Sequence, residues 1–247
     1  MNQERPIFDT TEFKLEGKMA FKRNYWNCVI VSFIISFISG ILSFKVDPSK
    51  QSGSEEMNPD AMMAYAIAFL IMMIISEVIA TFVTNPLTVG RAGFFKKNLD
   101  DKQPVEPLFD AFTKGHYVNI IINMFITDII VMLFYLILIV PGIIKSFEYA
   151  LVPYILSDNP EMSGEEARKL SSQAMDGNKM NLFLFKLSFI GWVLLTIVTF
   201  GLAGIFYVNP YMMSAEAAAC RRLLSIYEQD DPSAYISYDY PETENRY

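Results

Sequence analysis

The sequence predicts an all-α integral membrane protein with about six transmembrane helices. Of its 247 residues, 52% are hydrophobic and only 19% are charged, against roughly 25% charged residues in soluble domains. The apolar residues are clustered into runs, and several runs approach the ~20 residues that cross a hydrocarbon core. A short polar segment that ends in an asparagine precedes an apolar run at three places in the sequence. The predicted spans are approximately residues 26–44, 61–84, 119–140, 141–157, 182–203 and 205–220.

These recurring polar segments define a repeating unit. Asn27, Asn119 and Asn181 each lie at the start of a long apolar run, shortly after a small or polar pair. Each of these runs is followed by a second apolar run that carries a proline. Internal repetition of this kind predicts three hairpin repeats. Each repeat is preceded by a stretch that we expect to form a cytosolic surface helix: residues 10–23, 105–114 and 163–175, the last with Ser163 and Glu166 at capping-box spacing.

The connections follow from turn residues. Pro141-Gly142 is expected to separate the third and fourth spans, and Gly201 with Gly204 to loosen the junction of the fifth and sixth. Residues 141–157 reach only about 25 Å as a helix, so a re-entrant segment competes with a full span there. About 25 mostly polar residues precede the first apolar run without a cleavage site, which predicts an uncleaved signal-anchor.

The distribution of Lys and Arg predicts the orientation. Positive residues near helix ends mark cytosolic segments, and they concentrate in alternate connections. This places both termini in the cytosol and the protein in the cell membrane as a multi-pass protein, with a surface helix in residues 1–25 and a membrane domain in 26–222. Residues 223–247 form an acidic, tyrosine-containing tail, predicted to be disordered; docking of a partner and simple solvation are equal alternatives for it. The positive residues are Lys14, Lys18, Lys22, Arg23, Arg91, Lys96, Lys97, Lys102, Lys114, Arg168, Lys169, Lys179, Arg221 and Arg222.

Ionisable residues within the apolar runs are the candidate polar site, because charge in hydrocarbon is costly and is by default functional. In one interpretation Glu77, Asp128 and Glu148 form an acidic path for a proton or cationic solute, with Lys145 as counter-charge. In the other they are structural: Lys145 and Glu148 neutralise each other at i,i+3, and Glu216 lies close in sequence to Arg221.

Prolines supply a second set of candidates. Pro86, Pro153 and Pro210 each interrupt a predicted span, and proline removes a backbone hydrogen bond. Transporters use such broken helices to coordinate solutes, whereas simple kinking would only pack the bundle.

Other functional classes find no support in the sequence. One histidine and two cysteines are too few for common metal or nucleophilic sites, and no phosphate-binding, dinucleotide-binding or hydrolase motif occurs. The net charge of -7 argues against a nucleic-acid surface. We therefore predict no catalytic residue, no cofactor and no metal site.

Six blocks of sequence between residues 139 and 215 form a distinctive set: Pro141-Gly142-Ile143-Ile144-Lys145, Tyr154-Ile155-Leu156, Asp158-Asn159-Pro160, Met175 to Lys179, Leu187 to Trp192 and Pro210-Tyr211. Together they resemble the bacterial multi-pass membrane family known as domain of unknown function 975. The resemblance implies an integral membrane protein of bacteria, without an assigned activity. In layout the chain is also similar to the membrane domain of some bacterial glycerophosphodiester phosphodiesterases, whose hydrolase domain it lacks.

For function, the sequence favours a non-enzymatic accessory, scaffold or lipid-organising protein. Its expected partners are membrane lipids and a protein that contacts the tail or the surface helices. The alternative is a small-solute or lipid transporter that uses the intramembrane acids and the proline-broken helices.

Overall fold

The structure, a computed structural model, describes residues 8–42, 59–113 and 115–230, and within them every regular element is helical. The side chains of residues 41–42, 59–61, 70, 72–80 and 228–230 lie outside the description, as does the predicted tail from residue 231 onward. The elements are α1 (Thr10–Arg23), α2 (Tyr25–Leu42), α3 (Pro59–Lys97), a 3₁₀ helix (Glu106–Phe109), α4 (Asp110–Thr113), α5 (Tyr117–Ile137), α6 (Ile139–Glu148), α7 (Val152–Asp158), α8 (Gly164–Ala174), α9 (Lys179–Leu187), α10 (Ile190–Val198), a π-helix (Gly204–Val208) and α11 (Asn209–Asp230).

Three stretches of the described chain are long and apolar enough to cross a bilayer: Tyr117–Ile137, Ile139–Asp158 and Lys179–Val198. Tyr25–Gly40 is apolar but shorter. The all-α class is therefore confirmed with three candidate spans, while six spans and hairpin repeats are not confirmed.

Helix α1 has the bounds that the sequence predicts, but it has a buried face. Asp9 caps its N-terminus by accepting a hydrogen bond from the backbone N–H of Thr11 at 2.8 Å. Its buried face contacts α11 so closely that a Cβ at Gly17 would lie 2.7 Å from the carbonyl carbon of Ser214. This helix is therefore part of the packed core.

The predicted capping box at α8 is confirmed. The Ser163 side chain accepts from the backbone N–H of Glu166, and the Glu166 carboxylate accepts from the backbone N–H of Ser163. Ala167 and Leu170 on this helix are buried, so α8 also packs against the bundle.

Two of the three recurring asparagines connect a helix to a distant loop, whereas Asn181 Nδ2 donates locally to Asn178 Oδ1 at 3.2 Å. Asn27 Nδ2 donates to the carbonyl of Gln103 at 2.9 Å, in the loop that follows α3. Asn119 Nδ2 donates to the carbonyl of Pro160 at 2.7 Å, in the loop that follows α7. In both places an amide at the start of one helix satisfies a carbonyl in the loop after the next long helical stretch.

The turn between the third and fourth predicted spans lies earlier than predicted. The chain reverses at Leu138, whose backbone is extended (φ -159°, ψ 146°), and Pro141 lies in the first turn of α6. Proline is tolerated there because the first N–H groups of a helix have no helical partner. Gly142 instead serves packing, because a Cβ on it would lie 2.8 Å from Cα of Tyr135 on α5.

The sixth predicted span is not among the candidate spans. The preceding turn at Phe200 and Gly201 has positive φ at both residues, 52° and 89°, as the glycine at 201 leads one to expect. Beyond it α11 is lined by small side chains that are buried inside the chain: Ala215, Ala217, Ala218, Ala219 and Cys220.

Burial divides the described side chains into a packed region and an exposed apolar one. The largest fully buried side chains include Phe21, Phe94 and Ile155, and both cysteines, Cys28 and Cys220, are completely buried. The exposed region, called here the apolar band, lies on α2, the later part of α5, the start of α6, and α10 with its following turn. The apolar band comprises Phe33, Phe37, Leu133, Leu136, Ile137, Ile139, Val140, Leu194, Ile197, Val198, Phe200 and Leu202.

Candidate functional site

A groove beside α5 is lined by two of the predicted site residues, Asp128 and Pro153. This feature, called here the mid-helix groove, has a volume of about 380 Å³. Its walls come from α5 on one side and from α6 with the α6–α7 turn on the other. Its polar lining groups are Thr127, Asp128, Tyr135, Ser146 and Tyr149, and the remaining lining is apolar and includes Pro153.

Asp128 joins two helices inside this groove. It is eleven residues beyond Tyr117, which places it about 17 Å along a helix about 31 Å long. Asn85 on α3 is buried and donates a hydrogen bond from Nδ2 to Oδ2 of Asp128 at 3.0 Å. A side-chain hydrogen bond between apolar helices stabilises their association, so this pair fastens α3 to α5.

Glu148 lies in a different cluster, which the sequence predicts only in part. The expected i,i+3 ion pair with Lys145 is present. The other carboxylate oxygen accepts from Lys179 Nζ at 2.8 Å, and Ser172 Oγ donates to the carboxylate at 3.0 Å. Because the side chain of Glu148 is only 12% exposed, this carboxylate is a structural junction of α6, α8 and α9.

Glu216 pairs with a residue other than the one its sequence neighbourhood suggests. Its carboxylate lies 2.8 Å from Lys186 Nζ on α9. Arg221 instead contacts Glu16 on α1 and Asp100 after α3. Residues five apart on a helix are separated by about 140° around its axis, so Glu216 and Arg221 face different neighbours.

Two proline positions have their nearby carbonyls satisfied within the chain. Pro86 lies inside α3 and cannot donate to the carbonyl of Phe82, four residues earlier. Tyr117 Oη donates to that carbonyl at 3.0 Å. Pro153 lies in the first turn of α7, and the carbonyl of Tyr149 accepts from the N–H of Val152 at 3.1 Å.

Pro210 is the second residue of α11, which follows the π-helix without an intervening turn. Pro153 lies just after a break inside the candidate span Ile139–Asp158, because α6 ends at Glu148 and α7 begins at Val152. Proline removes one backbone hydrogen-bond donor, and the helical geometry changes beside both residues.

Of the predicted acidic path, the structure describes the side chains of Asp128 and Glu148, and each has its own partners. Glu148 and Lys145 are not among the residues that line the mid-helix groove. The side chain of Glu77 lies outside the described side chains. Within residues 8–42, 59–113 and 115–230, no group of three His, Cys, Asp or Glu side chains could hold a metal ion.

Three participating residues were missed as site residues. Asn85 precedes Pro86 in the sequence but was not predicted to bind anything, and neither was Ser172. Lys179 was used only to predict the orientation in the membrane. Asn85 and Asp128 are 43 positions apart, and a single sequence contains no periodicity that joins them.

The chain has three candidate spans. Its polar side chains pair with one another inside the bundle, while the apolar band is exposed. These features indicate a helical membrane protein. Residues 108–225 match the family described as "Protein of unknown function (DUF975)", and this range includes the blocks between residues 139 and 215 that resemble the same family. No curated protein and no solved structure matches the chain. The likeness to the membrane domain of glycerophosphodiester phosphodiesterases is not confirmed.

Proposed function

We propose that the protein is a non-enzymatic membrane protein that organises lipid around its apolar band and acts as a scaffold for a protein partner. One observation carries the proposal. Asp128, Lys145, Glu148 and Glu216, the candidate ionisable residues with described side chains, each have a partner on this same chain.

Internal pairing argues for a fixed bundle. A transporter exchanges bonds between its polar groups and a solute near the middle of the membrane. Leaving a paired charge without its partner in a poorly solvated place costs several kcal/mol, on the order of 3–5. The carbonyls of Phe82 and Tyr149 have hydrogen-bond donors from the chain as well, so these proline positions serve packing.

The apolar band supports the lipid part of the proposal. Scattered exposed apolar side chains are normal on soluble proteins, whereas residues 136–140 are five consecutive apolar residues that are each at least 64% exposed. Phe200 is 97% exposed and Val198 is 73% exposed, on a turn and helix end where burial would require lipid or another protein. The cytosolic tail or the surface helices would then supply the contact with a partner.

Proton flux in reconstituted vesicles tests the proposal. The full chain is reconstituted into vesicles of phosphatidylethanolamine and phosphatidylglycerol that contain a pH-sensitive dye. We expect an imposed pH gradient to decay as slowly as in protein-free vesicles, for the wild type and for Asp128→Asn alike. A faster decay in the wild type that Asp128→Asn abolishes would overturn the proposal.

A small-solute or lipid transporter is the second candidate. The mid-helix groove favours it, because an exposed carboxylate lies there at mid-helix depth beside Pro153. This function predicts uptake of a cationic solute, measured with tetraethylammonium, that depends on Asp128 and is unchanged in Lys102→Gln.

A further inference from the structure

A second cavity lies apart from the mid-helix groove, where α3, the 3₁₀ helix and α4 meet the ends of α5 and α7. It has a volume of about 250 Å³. Gly90 makes one wall possible: a Cβ on it would lie 2.7 Å from the carbonyl carbon of Leu108, so the 3₁₀ helix packs directly on α3. The polar groups that line this cavity, called here the end cavity, are Lys97, Asp110, His116, Ser157 and Asp158.

The end cavity lies at the depth where two candidate spans terminate. Tyr117–Ile137 begins directly after His116, and Ile139–Asp158 ends at Asp158. Both His116 and Asp158 line the cavity. Because an apolar span of this length matches the hydrocarbon thickness, its ends lie at the level of lipid head groups.

The charges around the end cavity leave one ammonium available. Asp158 is neutralised by Lys96, and Asp110 also has a partner. Glu161 Oε1 lies 3.7 Å from Nε2 of His116, and the Glu161 side chain is 77% exposed. Lys97 lies at the last turn of α3, is exposed, and pairs with no carboxylate among the residues that the structure describes.

His116 supplies a second donor at the cavity. It is 31% exposed in its side chain, and its imidazole can donate to an anion. Ser157 Oγ donates its one proton to the carbonyl of Tyr154 at 2.7 Å, so this hydroxyl is not a donor to a ligand. An ammonium and an imidazole within one small cavity suit the oxygens of a phosphate group, which form short, charge-assisted hydrogen bonds.

We propose that the end cavity binds the phosphate group of a phospholipid whose head group lies at this end of the spanning helices, with Lys97 and His116 as its ligands. The inference deepens the proposed function, on which it rests for the choice of a lipid, because a lipid-organising protein would hold its lipid by the head group. It does not involve Asp128, so a positive flux assay would overturn the proposed function and leave Lys97-dependent phosphate binding intact.

Native mass spectrometry of the full chain with added dioleoyl phosphatidylglycerol tests the site. We expect Lys97→Gln to weaken binding about tenfold, as loss of one charge-assisted hydrogen bond would. Lys97→Arg keeps the charge and should bind like the wild type. Lys102→Gln is the matched control, because Lys102 is an exposed lysine five positions further on that does not line the cavity.

The ligand class is checked with a second measurement on His116. It is the only histidine of the chain, so protein purified with a tag that lacks histidine shows the NMR signals of one imidazole. These signals should shift when phosphatidylglycerol is added and stay unchanged with dioleoylglycerol, which has the same acyl chains without phosphate.

Three results would overturn the proposal. Equal binding by Lys97→Gln and Lys102→Gln would show that Lys97 is not a ligand. A change in the His116 chemical shift that is as large with dioleoylglycerol as with phosphatidylglycerol would show that the phosphate is not recognised. Displacement of the phosphatidylglycerol signal by millimolar inorganic phosphate would assign the cavity to free phosphate and end the lipid assignment.

Discussion

Gly17→Ala should destabilise the protein through the contact between α1 and α11. The added Cβ would lie 2.7 Å from the carbonyl carbon of Ser214 and closer still to the backbone of Ala215. Ordinary carbon contacts are about 3.5–4.0 Å, so α1 must move away by about 1 Å. That movement loosens Phe13 and Phe21, which are each 1% exposed.

The size of the effect follows from two opposing contributions. Overpacking of a well-packed contact costs about 1–3 kcal/mol, while alanine in place of a helical glycine gains up to about 1 kcal/mol. The net loss should be about 1–2 kcal/mol. At about 2–4 °C per kcal/mol for a chain of this size, the unfolding midpoint should fall by several degrees.

Thermal unfolding of the detergent-solubilised protein measures this directly. Gly191→Ala is the matched control, because a Cβ at this helical glycine meets nothing within 4 Å, and its midpoint should equal or exceed that of the wild type. A midpoint for Gly17→Ala at or above the wild-type value would refute the close packing of α1 on α11.

Further substitutions test the polar contacts. Glu148→Gln should lower the free energy of unfolding by about 2 kcal/mol, because it leaves two lysines without their carboxylate. Adding Lys179→Gln should restore part of this loss, as measured by thermal unfolding. An unchanged midpoint in Glu148→Gln would mean that Glu148 does not hold α6, α8 and α9 together. Tyr117→Phe removes the donor to the carbonyl of Phe82 and should cost about 1 kcal/mol, read as a lower midpoint, whereas an unchanged midpoint would mean that this carbonyl needs no donor from α5. Asn119→Ala should speed amide hydrogen exchange in residues 159–163, which that side chain fastens, and unchanged exchange there would contradict the anchoring.

Much of the helical order could be predicted because local chemistry determines it. Residues 10–23 were predicted as a helix and form α1, with Asp9 as its cap, and the Ser163–Glu166 spacing correctly marked the start of α8. Capping requires only a few neighbouring residues, so a single sequence contains the whole signal.

The turn between the third and fourth predicted spans was misplaced because a Pro-Gly pair is compatible with two backbone geometries. Pro141-Gly142 was predicted to be the turn itself. In a continuous helix the ring of Pro141 would clash with the carbonyl of the residue four positions earlier, Ile137, and α5 ends at Ile137. The turn therefore falls at Leu138, a residue type with no turn signal of its own.

Contacts in the candidate sites depend on packing between distant segments. Glu216 is nearest in sequence to Arg221, yet it pairs with Lys186, thirty positions earlier. The end cavity combines residues from positions 89 to 160. Neither the pairing nor the cavity has a spacing that a sequence pattern could reveal.

The complete burial of Cys28 and Cys220 has a practical consequence for mapping topology. Thiol reagents require an accessible thiolate, and neither native thiol is accessible in the folded chain. A cysteine introduced at an exposed position such as Lys102 or Phe200 would therefore be the first to react, without prior removal of the native pair. Labelling intact cells with a membrane-impermeant maleimide could then assign each connection to one side of the membrane.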